Sequence, residues 1–180
     1  MAKLVSKRYA SALFEAGLEL NKIKEFNEEL DFIKRILEEE PQLLQILNHP
    51  KINKDEKKDL INSLFKDKAS GEMINFIYVL IDKRRDSHLL EIANYYKELF
   101  NEHENIMKVT AITAVPMDKN AQDKLSVVLS NKLNKNIELI NVVDNTILGG
   151  VLLKVENKLI DGTLKGQLES IGRVIKGASL

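Results

Sequence analysis

The spacing of apolar residues divides the chain into a helical half and a half of mixed period. Over residues 3–20, Val5, Tyr9, Ala12, Leu13, Ala16 and Leu20 recur at helical spacing, and Leu4, Ala10, Phe14, Gly17 and Leu18 fill much of a second face. A surface helix needs one apolar stripe. The surplus reads either as a central core helix or as a helix with one face in the core and one offered to a partner. Asn21 is a candidate cap for the next helix, whose stripe of Ile23, Phe26, Leu30, Ile33 and Leu37 is single and clean. Pro41 follows Glu38-Glu39-Glu40 and opens a short helix, PQLLQIL. Asn53 with Glu56 has the form of a capping box before Leu60, Ile61, Leu64 and Phe65. Ser70-Gly71 starts a fifth helix, apolar on nearly all sides from Met73 to Ile81. Ser87 is a candidate cap for a sixth, with its stripe at Leu89, Ile92, Ala93, Tyr96, Leu99 and Phe100.

The period changes near Asn101–Asn105. Met107 to Val115 alternates with β-branched residues and predicts a strand. Pro116 and Asp118 open a helix through Leu125, Val128, Leu129 and Leu133, and Ile137 to Val143 predicts a second strand. Gly149-Gly150 then removes two side chains where a third strand begins, which suits a bulge, a bend or a close backbone approach. Val151, Leu153 and Val155 alternate with Leu152, Lys154 and Glu156, and Asn157-Lys158 predicts a tight hairpin into Leu159-Ile160. Asp161-Gly162-Thr163 ends that strand, and the Thr163 hydroxyl is placed to cap a helix running toward Lys176. The expected fold is α+β in two domains: a six-helix bundle over 1–105, then a small mixed α/β domain over 106–180 with the order β-α-β-β-β-α. Short links between the helices favour antiparallel neighbours. If the first and fifth helices filled only a core, a bundle of this size would be unusually core-rich. A groove between them that takes a further helix is the sharper reading.

Composition removes most alternatives. Acidic and basic residues number 27 each, so no global field steers nucleic acid or anionic membrane. The chain has no cysteine, which excludes disulfides, thiolate nucleophiles and cysteine metal ligands. No apolar run approaches the roughly 20 residues of a membrane span. The start, MAKLVSKRYASALFEAG, lacks a continuous apolar segment, which argues against a secretory signal. The expectation is a soluble cytosolic protein that can still attach to something in a membrane. His49, His88 and His103 lack the i, i+4 spacing of a helical zinc site, and Ser87-His88 adjacency says nothing for a triad. Gly149-Gly150 has no following GK[ST], and Gly162 to Gly166 is one residue too long for a GxxG loop. No aromatic residue or histidine follows His103, so a base-stacking sheet is not written here. No catalytic residue, cofactor site or metal site is expected.

The two ends of the chain resemble the delta subunit of the F-type ATP synthase, the family of the mitochondrial oligomycin-sensitivity-conferring protein. The most specific stretch is LINVVDNTILGGVLLKVEN, Leu139 to Asn157, with Asp144, Gly149, Gly150 and Lys154 in the family's pattern. Ile160-Asp161-Gly162-Thr163 with Gly166 and Leu168 resembles the family's IDGS…G.L run, with Thr163 in place of the commoner serine. Arg8-Tyr9-Ala10 and Ala12-Leu13-Phe14 resemble its RYA.ALF opening, and Asn75-Phe76, Leu80, Arg85 and Leu89-Leu90 its middle motif. The resemblance implies a non-catalytic stator subunit, one copy per complex, on the cytoplasmic face of a bacterial cell membrane. It implies that the helical domain binds the N-terminal helices of alpha subunits and that the α/β domain joins the C-terminal region of the b subunit. Tyr9, Ala12, Leu13, Phe14, Phe76, Ile77 and Leu80 are the candidate partner-binding residues. Val151, Leu153, Leu168 and Ile171 are core or partner face in the second domain. Gly149, Gly150, Asp161, Gly162, Thr163 and Gly166 are read as structural. The competing reading is a generic helical adaptor with a partner-binding α/β tail.

Overall fold

In the computed structural model, the apolar stripes and caps resolve into α1 (Ala2–Glu19), α2 (Ile23–Glu39), α3 (Pro41–Asn48), α4 (Lys54–Phe65), α5 (Gly71–Asp82), a 3-10 turn (Asp86–His88) and α6 (Leu89–His103). These are followed by β1 (Ile106–Thr113), α7 (Lys119–Leu133), β2 (Asn136–Val143), β3 (Gly150–Val155) and β4 (Lys158–Thr163). The structure describes residues 2–155 and 158–168. The chain divides into two compact units, Met1–Asn101 and Glu102–Leu180.

In the first unit the clean stripe of α2 is the simplest case: Phe26, Leu30, Ile33 and Leu37 are all buried. Ile61 and Phe65 of α4, Met73, Ile77, Leu80 and Ile81 of α5, and Tyr96 of α6 are likewise fully or nearly fully buried. Truncating any of the large aliphatic side chains costs about 2–5 kcal/mol, through lost transfer energy and the cavity left behind. Side chains distant in sequence tie the helices together. Tyr96 donates its hydroxyl to Ile23 O (3.1 Å). Glu29 of α2 accepts the Ser70 hydroxyl (2.9 Å) at the start of α5. Lys57 of α4 donates to Asp86 and to the carbonyl of Leu47.

Two expected caps are placed differently. Asn21 does not cap α2. It adopts a left-handed conformation (φ 57°) beyond α1, where the Lys22 N–H closes back on Gly17 O at 2.8 Å. Asparagine tolerates that conformation and so serves either role. Ser87 lies inside the 3-10 turn ahead of α6. Ser70, Asn53 and Asp118 do cap, accepting N–H bonds from Met73, Glu56 and Ala121.

In the second unit the strand order is β2-β1-β3-β4. β1 and β2 are parallel and joined through α7, while β3 pairs antiparallel with both β1 and β4. β1 stops at Thr113, short of the expected Val115, because the Thr113 hydroxyl turns to donate to Val115 O (2.7 Å). α7 covers one face of the sheet: Leu125 and Leu129 pack with Val109, Ala111, Leu153 and Val155. The register places Ile112, Ile140, Val142, Leu152 and Leu159 on the opposite face, where Ile140, Val142 and Leu159 are exposed. The hairpin connection at 156–157 and the chain beyond 168, with Ile171, Arg173 and the expected helix toward Lys176, lie outside the described residues.

Candidate partner-binding surfaces and the C-terminal motif

The helical surface is built on α1 and α5. The buried line of α1 is Ser6, Ala10, Leu13 and Gly17, which mixes members of both sequence stripes with a serine. Ser6 is satisfied there by its hydroxyl donating to Glu91 of α6 (2.8 Å). Tyr9 and Phe14 are half-buried along the edges of this line, and Ala12 is exposed. Phe14 meets the Tyr96 ring edge-on at 5.6 Å between centroids. On α5, Phe76 is half-buried. Leu13, Ile77 and Leu80 are buried, Leu80 completely at 0 % exposure. These three are therefore core anchors, and the expectation that they face a partner is corrected by their burial. The accessible candidates are Tyr9, Ala12, Phe14 and Phe76.

The same two helices carry exposed apolar residues that were not among the candidate partner-binding residues. Leu4 (70 % exposed) and Leu18 are exposed on α1, and Val79 (46 %) on α5. The signal was available: Val79 follows Phe76 by three residues, and Leu4 and Leu18 share a face at a spacing of two heptads. Lys22, the residue that precedes α2, places its ammonium 3.0 Å from Glu72 in the first turn of α5. This bond raises the Lys22 pKa and lowers that of Glu72. Burial beneath the α5 start raises the Glu29 carboxyl, while its bonds from Ser70 pull the other way. Burial also raises the Tyr96 phenol far above its usual range. Each shift has a structural partner, and none is poised for proton transfer.

In the second unit the motif residues come together at the β3–β4 end of the sheet. Gly150 opposes Thr163 across the ladder, and Gly162 opposes Val151. Gly150 has φ 84°, and a Cβ there would lie 2.4 Å from Gly162 O and 2.9 Å from Thr163 Cα. Only glycine accommodates both the conformation and the approach. Next to it, Gly149 O accepts the Leu164 N–H (3.0 Å). The Asp161 carboxylate accepts the Thr163 N–H (2.8 Å), and the Thr163 hydroxyl accepts the Gly166 N–H (3.1 Å). Thr163 thus ends β4 and caps the helical residues 164–168 at once. A Cβ on Gly166 would lie 2.6 Å from that same carboxylate, so the glycine lets Asp161 close over the turn. The bonds from Thr163 hold the Asp161 carboxyl below the usual carboxylate range. Among the described residues no cluster of His, Asp or Glu is arranged to hold a metal ion.

The profile of the family described as ATP synthase delta (OSCP) subunit matches residues 5–175. The chain belongs to this family. It is similar to the ATP synthase subunit delta of Alkaliphilus oremlandii, with 47 % identity over 171 residues and 95 % of each chain covered. It is also similar to the subunit delta of Clostridioides difficile, with 40 % identity over 175 residues and again 95 % of each chain. Among solved structures it resembles a chain of the Toxoplasma gondii mitochondrial ATP synthase hexamer, with a TM-score of 0.70 at 16 % identity, covering 94 % of this chain and 96 % of that one. That likeness concerns the fold. As a delta-family member the chain is a non-catalytic subunit of the rotary enzyme with a stator role, and a peripheral one. Among the described residues no helix is long and apolar enough to cross a membrane.

Proposed function

We propose that the chain links the catalytic head of the ATP synthase to its peripheral stalk, with one copy per complex, on the cytoplasmic face of the cell membrane. The six helices of 1–105 act as a bundle that receives the N-terminal helices of alpha subunits. The α/β unit of 106–180 joins the C-terminal region of the b subunit. The observation that carries this reading is the exposed apolar set on α1 and α5. Leu4, Leu18 and Val79 stay at the surface although the core beneath is filled by Leu13, Ile77 and Leu80. Exposed apolar groups beside half-buried aromatics are what an amphipathic helix needs for a helix-in-groove contact. A standard interface of roughly 800 Å² per partner suffices for specificity.

The test is titration calorimetry of the full chain with a synthetic peptide of the alpha subunit's N-terminal helix from the same organism. Saturable binding with a negative heat-capacity change is expected. Phe76→Glu places a charge in the desolvated contact and weakens binding by about 100-fold or more. Val79→Glu, at a more exposed site, does the same without touching the core. Wild-type affinity in both variants, each with an unaltered circular dichroism spectrum and melting temperature, would remove the groove from α1 and α5. A generic adaptor would bind other amphipathic helices as tightly as this one.

A further inference from the structure

A second feature of the helical unit lies where the α3–α4 link, the start of α4 and the exit of α5 converge. It is a cavity of about 460 Å³ lined by Lys51, Lys54, Lys57 and Arg84, with Asp86 the sole carboxylate on its wall among the described residues. The disposition of these cations departs from an ordinary solvated face. Lys57 is only 8 % exposed, and its ammonium gives two bonds inside the protein, to Leu47 O and Asp86. An ammonium has three donors, so one remains for the cavity that Lys57 lines. Lys54 donates to a neutral carbonyl, Asp82 O (2.8 Å), and forms no direct ion pair with the Asp82 carboxylate, which Lys58 holds. The side chains of Lys51 and Arg84 make no hydrogen bond or ion pair with the described residues. Acidic groups stand nearby, but they do not fill the site. Asp82 is held by Lys58 at 2.7 Å, and its carboxyl is lowered chiefly by that bond, with Lys54 and Lys83 adding to the effect. Asp55 and Glu56 occupy the first turn of α4 and do not line the cavity.

We propose that this cavity binds a small phosphate-bearing anion, either free phosphate or a phosphate ester. The volume falls within the range of small-molecule sites, and the charge is presented in a concavity rather than along an extended stripe. Duplex nucleic acid or a membrane surface would need the latter, and the zero net charge of the chain argues against both. Arg84 offers a planar fork suited to two phosphate oxygens, while the lysines act as point charges around it. Pro50, Ile52 and Ile81 supply an apolar wall against which the organic part of an ester would rest. Nothing in this site draws on α1 or on the motif of the second unit, so the proposal stands apart from the stator reading.

The experiment titrates the full chain with inorganic pyrophosphate and, separately, with adenosine monophosphate, following 31P line broadening and heat. Saturable binding with Kd below about 1 mM is expected for at least one probe. The double variant Lys51→Gln/Arg84→Gln, both at exposed positions, weakens it at least tenfold with an unchanged melting temperature. Pyrophosphate binding alone supports a free-phosphate site. Monophosphate binding displaced by inorganic phosphate supports an ester site. No saturable signal for either probe at about 10 mM overturns the proposal. So does binding that the double variant leaves intact, or that sodium chloride at physiological strength abolishes.

Discussion

Gly150→Ala adds one methyl group where two backbones cross. The new Cβ would lie 2.4 Å from the carbonyl oxygen of Gly162 and 2.9 Å from Thr163 Cα, where ordinary contacts begin near 3.5 Å. β4 must therefore retreat by about 1 Å at a pair whose spacing the ladder fixes. The φ of 84° costs an L-residue about 1–2 kcal/mol before any clash. Overpacking adds about 1–3 kcal/mol, and loss of the adjacent Leu164 N–H to Gly149 O bond about 1 kcal/mol. The expected total is about 3–6 kcal/mol, concentrated in the second unit. Hydrogen exchange with mass spectrometry on the full chain reads this directly. Protection over 150–155 and 158–168 should fall by about two to four orders of magnitude, while 23–39 stays unchanged. Gly71→Ala is the control. It starts α5 with nothing within 4 Å of its Cβ position, so it should be neutral or slightly stabilising. Protection in β3 and β4 of Gly150→Ala within about threefold of the original would refute the close-approach reading.

Asp86→Ala leaves the Lys57 ammonium buried without its carboxylate and should destabilise the first unit by about 3–5 kcal/mol in urea unfolding, whereas Lys57→Met/Asp86→Leu should recover most of that loss. Tyr96→Phe deletes the hydroxyl that reaches Ile23 O and should cost about 1 kcal/mol by the same measurement. Asp161→Asn tests the motif by pH. The native carboxyl titrates below its unfolded value of 3.8, so its contribution is fully present above that value and is lost as pH falls through the lower folded pKa. The asparagine variant keeps an acceptor for the Thr163 N–H but lacks this loss. Its stability should decline less steeply than the native chain's below about pH 4 in acid titration followed by circular dichroism. An identical acid limb would mean that Asp161 is not held by Thr163.

What could be read in advance follows from how local each determinant is. The single stripe of α2 named four of its five buried residues, Phe26, Leu30, Ile33 and Leu37, because one face of one helix meets one core; Ile23 is half-buried and the polar Asn27 went unnamed. On α1 two stripes were visible, and the true core line ran between them through Ser6. That serine is tolerated because its partner is Glu91, 85 residues away, a fact no window along the chain contains. α5 was similarly ambiguous: its nearly continuous apolar run concealed that Ile77 and Leu80 face inward while Val79 faces out. The second unit was more legible, since glycine pairs and a capping threonine carry conformational meaning by themselves. That Gly150 needs its hydrogen because of Gly162 O required the register. The cation-lined cavity was invisible because Lys51, Lys57 and Arg84 come from three separate segments.

A stator link under load needs resistance to sliding inside each unit and slow release at each attachment. Exposed ion pairs such as Lys22–Glu72 contribute little to the first requirement. The buried Lys57–Asp86 pair and the half-buried Glu29–Ser70 bond do more, because each joins elements that would otherwise slip past one another. For the second requirement, differences among related complexes lie mainly in off-rate. If the helical unit holds the head and the α/β unit the stalk, release of one contact leaves the other holding the chain at an effective concentration on the order of millimolar. Phe76→Glu should then cut affinity for the isolated peptide far more than it cuts retention of the chain in assembled enzyme. The comparison is calorimetry against quantitative immunoblotting of purified complexes. Equal losses in the two assays would mean that the groove is the dominant attachment and that the second unit adds no effective concentration of its own.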